Sequence, residues 1–238
     1  MNENKFCFII CTNNDLYLSE CIHYIEHLNV PNGYEIDLLT IQDAKCMTQG
    51  YNEAMTQTDA KYKIYMHQDV FILNQNFLTD ILQIFQSDAQ IGMIGMVGYK
   101  NVSADGLMWH GKRVGDLYKR KPDNIYPQLS EYHYSLQKDG YSPAAEIDGF
   151  LMATAYDLPW NTADVTGWDF YDAFHSINFL EHGYKIAVPN QLHPWCMHDD
   201  GVVLNMTNYN QYRKIFTKKY QHYLGKHYSQ LLRHKGEY

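Results

Sequence analysis

Apolar runs and polar stops alternate in a regular order over the first hundred residues. Lys5 to Thr12 (KFCFIICT) is a largely apolar run that ends at Asn13-Asn14-Asp15. Such a run suits a strand buried on both faces, and the Asn/Asp cluster then offers a helix cap. Leu18, Ile22, Ile25 and Leu28 follow on one helical face. Pro31-Asn32-Gly33 is a turn, and Tyr34 to Ile41 (YEIDLLTI) reads as a second strand that stops at Gln42-Asp43. Met47, Tyr51, Ala54 and Met55 fit a second helix. Tyr62 to His67 (YKIYMH) fits a third strand, followed directly by Gln68-Asp69. Phe77, Leu78, Ile81, Leu82 and Phe85 stripe a third helix, and Ile91 to Val97 closes the series as a fourth strand.

Strands alternating with helices in this way predict an α/β fold with a mainly parallel sheet. In such folds ligands bind beyond the carboxyl ends of the strands. Three polar clusters fall at those ends: Thr12-Asn13, Gln42-Asp43 and His67-Gln68-Asp69.

The second half of the chain is less regular. Asn101 to Ser142 has weak periodicity and reads as an irregular insertion, a lid or acceptor loop. Ala144 to Ala155 predicts a strand around Asp148-Gly149. Asp169 to Glu181 predicts a helix whose core face is Phe170, Phe174, Ile177 and Leu180, with Gly183 as its stop. Tyr184 to Val188 is a last strand, and His193 to Gly201 a polar loop with Trp195, His198, Asp199 and Asp200.

Charge and composition narrow the function. The formal net charge of -8 argues against broad nucleic-acid binding. From Leu204 onward, seven cations (Arg213, Lys214, Lys218, Lys219, Lys226, Arg233, Lys235) face Glu237 alone, so that segment is +6 and the remainder -14. Tyr209, Tyr212, Phe216, Tyr220 and Tyr223 recur there at helical spacing. Two readings stand: a surface for an anionic membrane or lipid-phosphate acceptor, or aromatics packed on the domain with their cations solvated. The 21 tyrosines suit stacking on sugars and bases, or are a habit of composition. The five cysteines are odd in number and form no Cys-x-x-Cys pair, which predicts reduced thiols in a cytoplasmic protein. The short apolar run at the N-terminus does not fit a signal peptide, and no stretch reaches the length of a membrane span.

Three groups of side chains can carry chemistry. Asp69, just after a buried strand, can hold a hard divalent cation that bridges two phosphates, or can simply end the strand. His198 with Asp199 and Asp200 suits Mn²⁺ or a similar ion, although 12 histidines make such neighbours easy to find by chance. Asp169 and Asp172, one turn apart at a predicted helix start, are either a site or plain capping. The chain has no Gly-x-Gly-x-x-Gly after its first strand, no Walker-type Gly-Lys-Ser/Thr, no Gly-x-Ser-x-Gly elbow and no His-Glu-x-x-His.

Taken in order, these segments resemble a family-two glycosyltransferase with the GT-A fold, in particular the streptomycin-biosynthesis type. The resemblance runs over about residues 5 to 201. KFCFIICTNN and YEIDLLTIQD come first, then QGYNEAM, whose Asn52 matches a recurring asparagine. KYKIYMHQDVFI stands where the family has its Asp-x-Asp metal motif, and EIDGFLMAT, GWDFYD, EHGYKIAV and CMHDDG follow. His67 replaces the first acid of Asp-x-Asp, and Asn178 replaces an arginine that the family places after its Glu-Asp motif.

The resemblance implies a Rossmann-like sheet flanked by helices, with an acceptor-side insertion and C-terminal helices. Residues 1–203 would form the transferase domain, nucleotide-binding to about 100 and acceptor-binding beyond, with 204–238 a basic, aromatic helical segment. Thr12, Asn13, Asp43 and Asn52 would serve the nucleotide, Asp148 and Gly149 the donor sugar. Asp69 and His198 would hold Mn²⁺ or Mg²⁺, with Asp69 also meeting the donor, and Asp172 would be the catalytic base of an inverting transfer. The partners would be a nucleotide-sugar, UDP-linked by default, and a glycan, glycoconjugate or lipid-linked acceptor. The location would be cytoplasmic, with peripheral membrane contact through the basic C-terminus as an option. Two other functions remain open. A nucleotidyltransferase would need a glycine-rich basic loop that CTNND does not supply. A non-catalytic carbohydrate-binding protein on a decayed transferase fold would be consistent with His67.

Overall fold

β1 (Asn2–Thr12) is buried on both sides. With side chains alternating along a strand, Phe6, Phe8 and Ile10 enter one apolar cluster, and Cys7, Ile9 and Cys11 enter another. The two clusters lie on opposite faces of a central sheet. The computed structural model describes residues 1–119, 128–129, 140–199 and 206–232.

After β1 come α1 (Asp15–Glu26), β2 (Glu35–Gln42), α2 (Met47–Gln57), β3 (Ala60–His67), β4 (Val70–Ile72), α3 (Phe77–Ser87), β5 (Ile91–Gly95) and β6 (Val97–Tyr99). The insertion contributes β7 (Arg113–Gly115), β8 (Tyr118–Lys119) and β9 (Gln128–Leu129); much of the remainder of the expected acceptor loop lies outside the described residues. Then follow β10 (Tyr141–Ala144), β11 (Glu146–Ile147), β12 (Leu151–Thr154), α4 (Tyr171–Glu181), β13 (Lys185–Pro189), β14 (Cys196–His198) and α5 (Met206–Lys219). Asn14 caps α1 as expected, its Oδ1 accepting from the backbone N–H groups of Leu16 and Tyr17. Gly183 ends α4 with φ at 78°, a left-handed conformation that glycine adopts without strain.

The central sheet has seven strands in the order β10-β13-β5-β12-β3-β1-β2. β1, β2, β3, β5 and β13 run parallel, as the strand–helix alternation predicts, while β12 runs antiparallel between β3 and β5. Helices α1 and α3 cover one face; α2, α4 and α5 cover the other. Two smaller sheets, β11-β6-β7 and β4-β14-β8-β9, flank the carboxyl end. No described helix is long and apolar enough to cross a membrane.

Four expectations need correction. The strand expected over 144–155 is three short strands in two sheets, because the chain turns at Asp148-Gly149. The fourth strand ends at Gly95, and Val97 begins a strand of another sheet; a side chain at Gly95 would collide with Ile147. The helix expected from Asp169 begins at Tyr171, because Phe170 takes φ of 65° and breaks the helical path. The polar loop over 193–201 contains β14, which pairs antiparallel with β4.

The aromatic stripe of the C-terminal segment resolves in favour of packing. Tyr209, Tyr212, Phe216, Tyr220 and Tyr223 are all buried in the cluster that contains α4, whereas Lys214, Lys218 and Lys219 stay at the surface. All five cysteines are buried free thiols.

Lys63 is the exception in the core. It lies on β3 and is fully buried, with its Nζ donating to the carbonyl of Ala60 at 2.6 Å and paired with Asp157 at 2.7 Å. Thr154, at the end of β12, is the register partner of Lys63, so the ion pair fastens the antiparallel strand to β3. Removing one partner of a buried pair leaves an uncompensated charge. Asp157→Ala is therefore expected to cost about 3 kcal/mol, the low end for a buried pair because Asp157 is one-third exposed. Urea unfolding checks this, and the double variant Lys63→Met/Asp157→Ala should recover most of the loss.

Candidate functional site

Strand register sets the first part of the site. Cys11 of β1 lies beside His67 of β3, and Thr12 beside Gln42 of β2. The three polar clusters expected at strand ends therefore adjoin. Gln68 ties two of them together: its Oε1 accepts from Thr12 Oγ1 at 2.8 Å, Asn13 N at 3.0 Å and Asn14 N at 2.9 Å. Its Nε2 donates to Asn13 Oδ1 at 2.7 Å. The loop that begins α1 is thus built around one glutamine, which satisfies the two backbone donors that lead into the helix. Asp43, exposed next to Gln42, has φ of 56°, a left-handed conformation that aspartate tolerates better than most residues.

Pairing of β14 with β4 supplies the second part. His198 stands opposite Val70, and the backbone N–H of Asp199 donates to the carbonyl of Asp69 at 2.9 Å. His198 Nε2 comes within 3.4 Å of Asp69 Oδ1, and His67 Nδ1 lies 3.4 Å from His198 Nε2 and 3.9 Å from Asp69 Oδ1. One ligand atom from each of the three residues falls within 4.8 Å of the others. Phe150 stacks on the His198 ring at 5.3 Å. Asp200 lies outside the described residues.

The donor set fits a divalent cation. Asp69 Oδ1 is buried and accepts no hydrogen bond, a costly state for a carboxylate oxygen unless a cation meets it. Burial, reinforced by the charge of His198, lowers the His67 pKa to about 4, so the ring is neutral and its lone pair free to bind a metal at pH 7.

The third part comes from the turn after β11 and the start of α4. Asp172 Oδ2 accepts from Gly149 N at 2.9 Å, and its Oδ1 from Ala173 N at 2.8 Å. Burial, and next the charge of Asp148, raise its pKa to about 7. Asp148 itself accepts from Phe150 N at 3.3 Å. Glu146 is buried, with Oε2 unpartnered, and burial pushes its pKa well up. Tyr171 joins this part to the metal cluster: its hydroxyl bonds His67 Nε2, and a side chain at Gly149 would lie 2.3 Å from that hydroxyl. Only glycine leaves the tyrosine room there.

Of the residues expected from sequence, Asp69 and His198 come together, as do Asp148, Gly149 and Asp172. Asn52 is occupied elsewhere: its amide holds both backbone groups of Trp160, at 2.9 Å and 3.0 Å. Asp169 is not one helical turn before Asp172 as expected; it precedes the helix, across the left-handed Phe170. That conformation costs about 1–3 kcal/mol and is held by the buried Phe170 ring against Tyr209 and Phe216. His67 and Gln68 were placed at a ligand-binding strand end but given no role, and Tyr171 was not foreseen as a site residue. The first two adjoin Asp69 and the third adjoins Asp172, but only their contacts reveal what they do.

Solved structures share this fold. A mannosyltransferase from Pyrobaculum calidifontis, in complex with GDP-Man and Mn²⁺, aligns with a TM-score of 0.54 at 11% identity, covering 95% of this chain and 66% of that one. TarS 1–349 of S. aureus in complex with UDP-GlcNAc aligns with a TM-score of 0.56 at 11% identity, covering 95% of this chain and 69% of that one. The chain thus spans about two thirds of the length of these structures, and at such identity the likeness is one of fold: a GT-A architecture. No curated protein matches the sequence. Residues 7–220, nearly the whole chain, match a family described as glycosyltransferase-like, and the protein belongs to that family.

Proposed function

We propose that the protein is a metal-dependent, inverting glycosyltransferase that moves a sugar from a nucleotide-diphosphate donor, UDP-linked by default, to the hydroxyl of a glycan, glycoconjugate or lipid-linked acceptor. One observation carries this reading: a ligand cluster at the carboxyl ends of the strands lies one tyrosine away from a carboxylate poised near neutrality. The family supports it, and so do structural relatives whose complexes contain GDP-Man with Mn²⁺ or UDP-GlcNAc. His67, the residue that favoured a decayed binding protein, here adds a nitrogen to the cluster. The cytoplasmic location belongs to the same proposal.

In this reading Asp69 and His198 hold Mn²⁺ or Mg²⁺, which when bound neutralises the diphosphate and stabilises its departure. Thr12, Asn13 and Asp43 line the nucleotide side at adjoining strand ends. Asn52 acts indirectly, by fixing the Trp160 backbone. Asp148 and Gly149 sit by the donor sugar. Asp172 accepts the proton of the acceptor hydroxyl as its oxygen bonds the anomeric carbon; the bond to the diphosphate breaks on the opposite face, and its electron pair leaves with the phosphate. The two backbone N–H donors aim the carboxylate, while burial keeps it basic enough to take a proton.

Asp69→Ala is expected to abolish Mn²⁺-dependent UDP binding in calorimetry, and His198→Ala to weaken it less. Unchanged affinity in Asp69→Ala would remove the metal assignment.

Asp172→Asn should keep donor affinity within a few-fold yet lose about 10²–10⁴-fold in transfer rate, whereas Asp169→Asn should lose much less. Because only the ionised carboxylate can act as base, kcat/KM of the parent should rise with pH to a plateau, with a midpoint near 7. Transfer by Asp172→Asn at the parent rate would show that this residue is not the base.

A further inference from the structure

The chain places His67 two residues before Asp69 at the end of β3, and the fold adds a second histidine, His198, from β14. The available donors are therefore two imidazole nitrogens and one carboxylate oxygen. Their separations are 3.4, 3.4 and 3.9 Å. Ligand atoms bound at about 2.1 Å to one ion lie about 3.0–3.4 Å apart at octahedral or tetrahedral angles. Two of the three edges already have that length, and the third needs only a small closure.

The rings are also oriented for the task. Tyr171 Oη bonds His67 Nε2, which turns Nδ1 toward His198 and Asp69. A partner on the far nitrogen is the usual device for fixing the tautomer and direction of a metal-binding histidine. Phe150 backs the His198 ring. Asp69 Oδ1 is the third corner of the triangle, buried and with no hydrogen bond of its own. Donors of this kind do not suit Mg²⁺, which demands oxygen ligands and gives up its waters reluctantly. Imidazole favours later first-row ions, and affinity rises from Mn²⁺ through Co²⁺ toward Zn²⁺.

We infer that His67, Asp69 and His198 form a preorganised two-imidazole, one-carboxylate site that takes a transition-metal ion in preference to Mg²⁺, before any nucleotide binds. The inference rests on the reading of this cluster as the cation site of a transferase, and goes further by making His67 a ligand and giving the site a metal preference.

Calorimetry with each metal chloride alone, on the full chain without nucleotide, tests the preference. Binding should strengthen from Mn²⁺ to Co²⁺ to Zn²⁺, with no measurable Mg²⁺ binding in the same titration. Pulsed electron paramagnetic resonance of the Mn²⁺ form should count two coupled imidazole nitrogens. His67→Asp should leave one nitrogen and bring Mg²⁺ binding into range. Tyr171→Phe, which keeps both ligands and their shape, should retain two nitrogens but bind Mn²⁺ about tenfold or more weakly. A single nitrogen in the parent, or equal Mg²⁺ and Mn²⁺ affinities, overturns the inference while leaving a cation site on Asp69 and His198 intact. Absence of metal binding with and without UDP overturns both.

Discussion

Satisfying the carboxyl end of β3 organises this site. Three consecutive residues leave that strand, and each must meet a different segment. Gln68 completes the polar groups of the loop that starts α1. His67 reaches α4 through the hydroxyl of Tyr171. The carbonyl of Asp69 accepts the N–H of Asp199, and its carboxylate faces His198. Buried polar groups without partners are costly, so each of these meetings constrains the segment involved. Segments remote in sequence are thereby set around one tripeptide.

The antiparallel β12 makes this convergence feasible. It enters between β3 and β5 and delivers the Asp148-Gly149 turn, just before it, to the carboxyl end of the sheet. The buried Lys63–Asp157 pair secures the other end of the strand. Gly149 then lets Tyr171 pass close to the backbone while its N–H meets Asp172. One turn thus links the carboxylate poised near pH 7 to the histidine-rich cluster. Both halves of the proposed chemistry, departure of the diphosphate and deprotonation of the acceptor, depend on its position.

Strain lies where the chemistry is proposed. Phe170 and Asp43 are the non-glycine residues with positive φ among those described. Phe170 separates Asp169 from Asp172, and the packing of α5 on its ring maintains the conformation. The C-terminal aromatics therefore act on the site at a distance, by holding the start of α4, while Lys214, Lys218 and Lys219 stay at the surface.

Much of the fold was legible in the sequence because local patterns dictate it. Continuous apolar runs in β1 and β3, helical stripes in α1 and α3 and caps at Asn14 and Gly183 each follow from period, burial and backbone preference. The chemistry-bearing types at Asp69, His198, Asp148 and Asp172 were visible for the same reason: polar residues beside apolar segments stand out from the local pattern. What the chain does at long range was not legible. Antiparallel pairing of β12, pairing of β14 with β4, and the division of 144–155 between two sheets depend on partners more than forty residues away in sequence, which no local period encodes. His67 looked like a lost ligand because a sequence cannot show that Tyr171 and His198 stand on either side of it. Nor could it show that the Asn52 amide holds the backbone of Trp160, remote in sequence. The sequence by itself determined which residues could do chemistry; tertiary structure decided which of them meet, because hydrogen bonds and ligand geometry act over a few ångströms of space, whatever the separation along the chain.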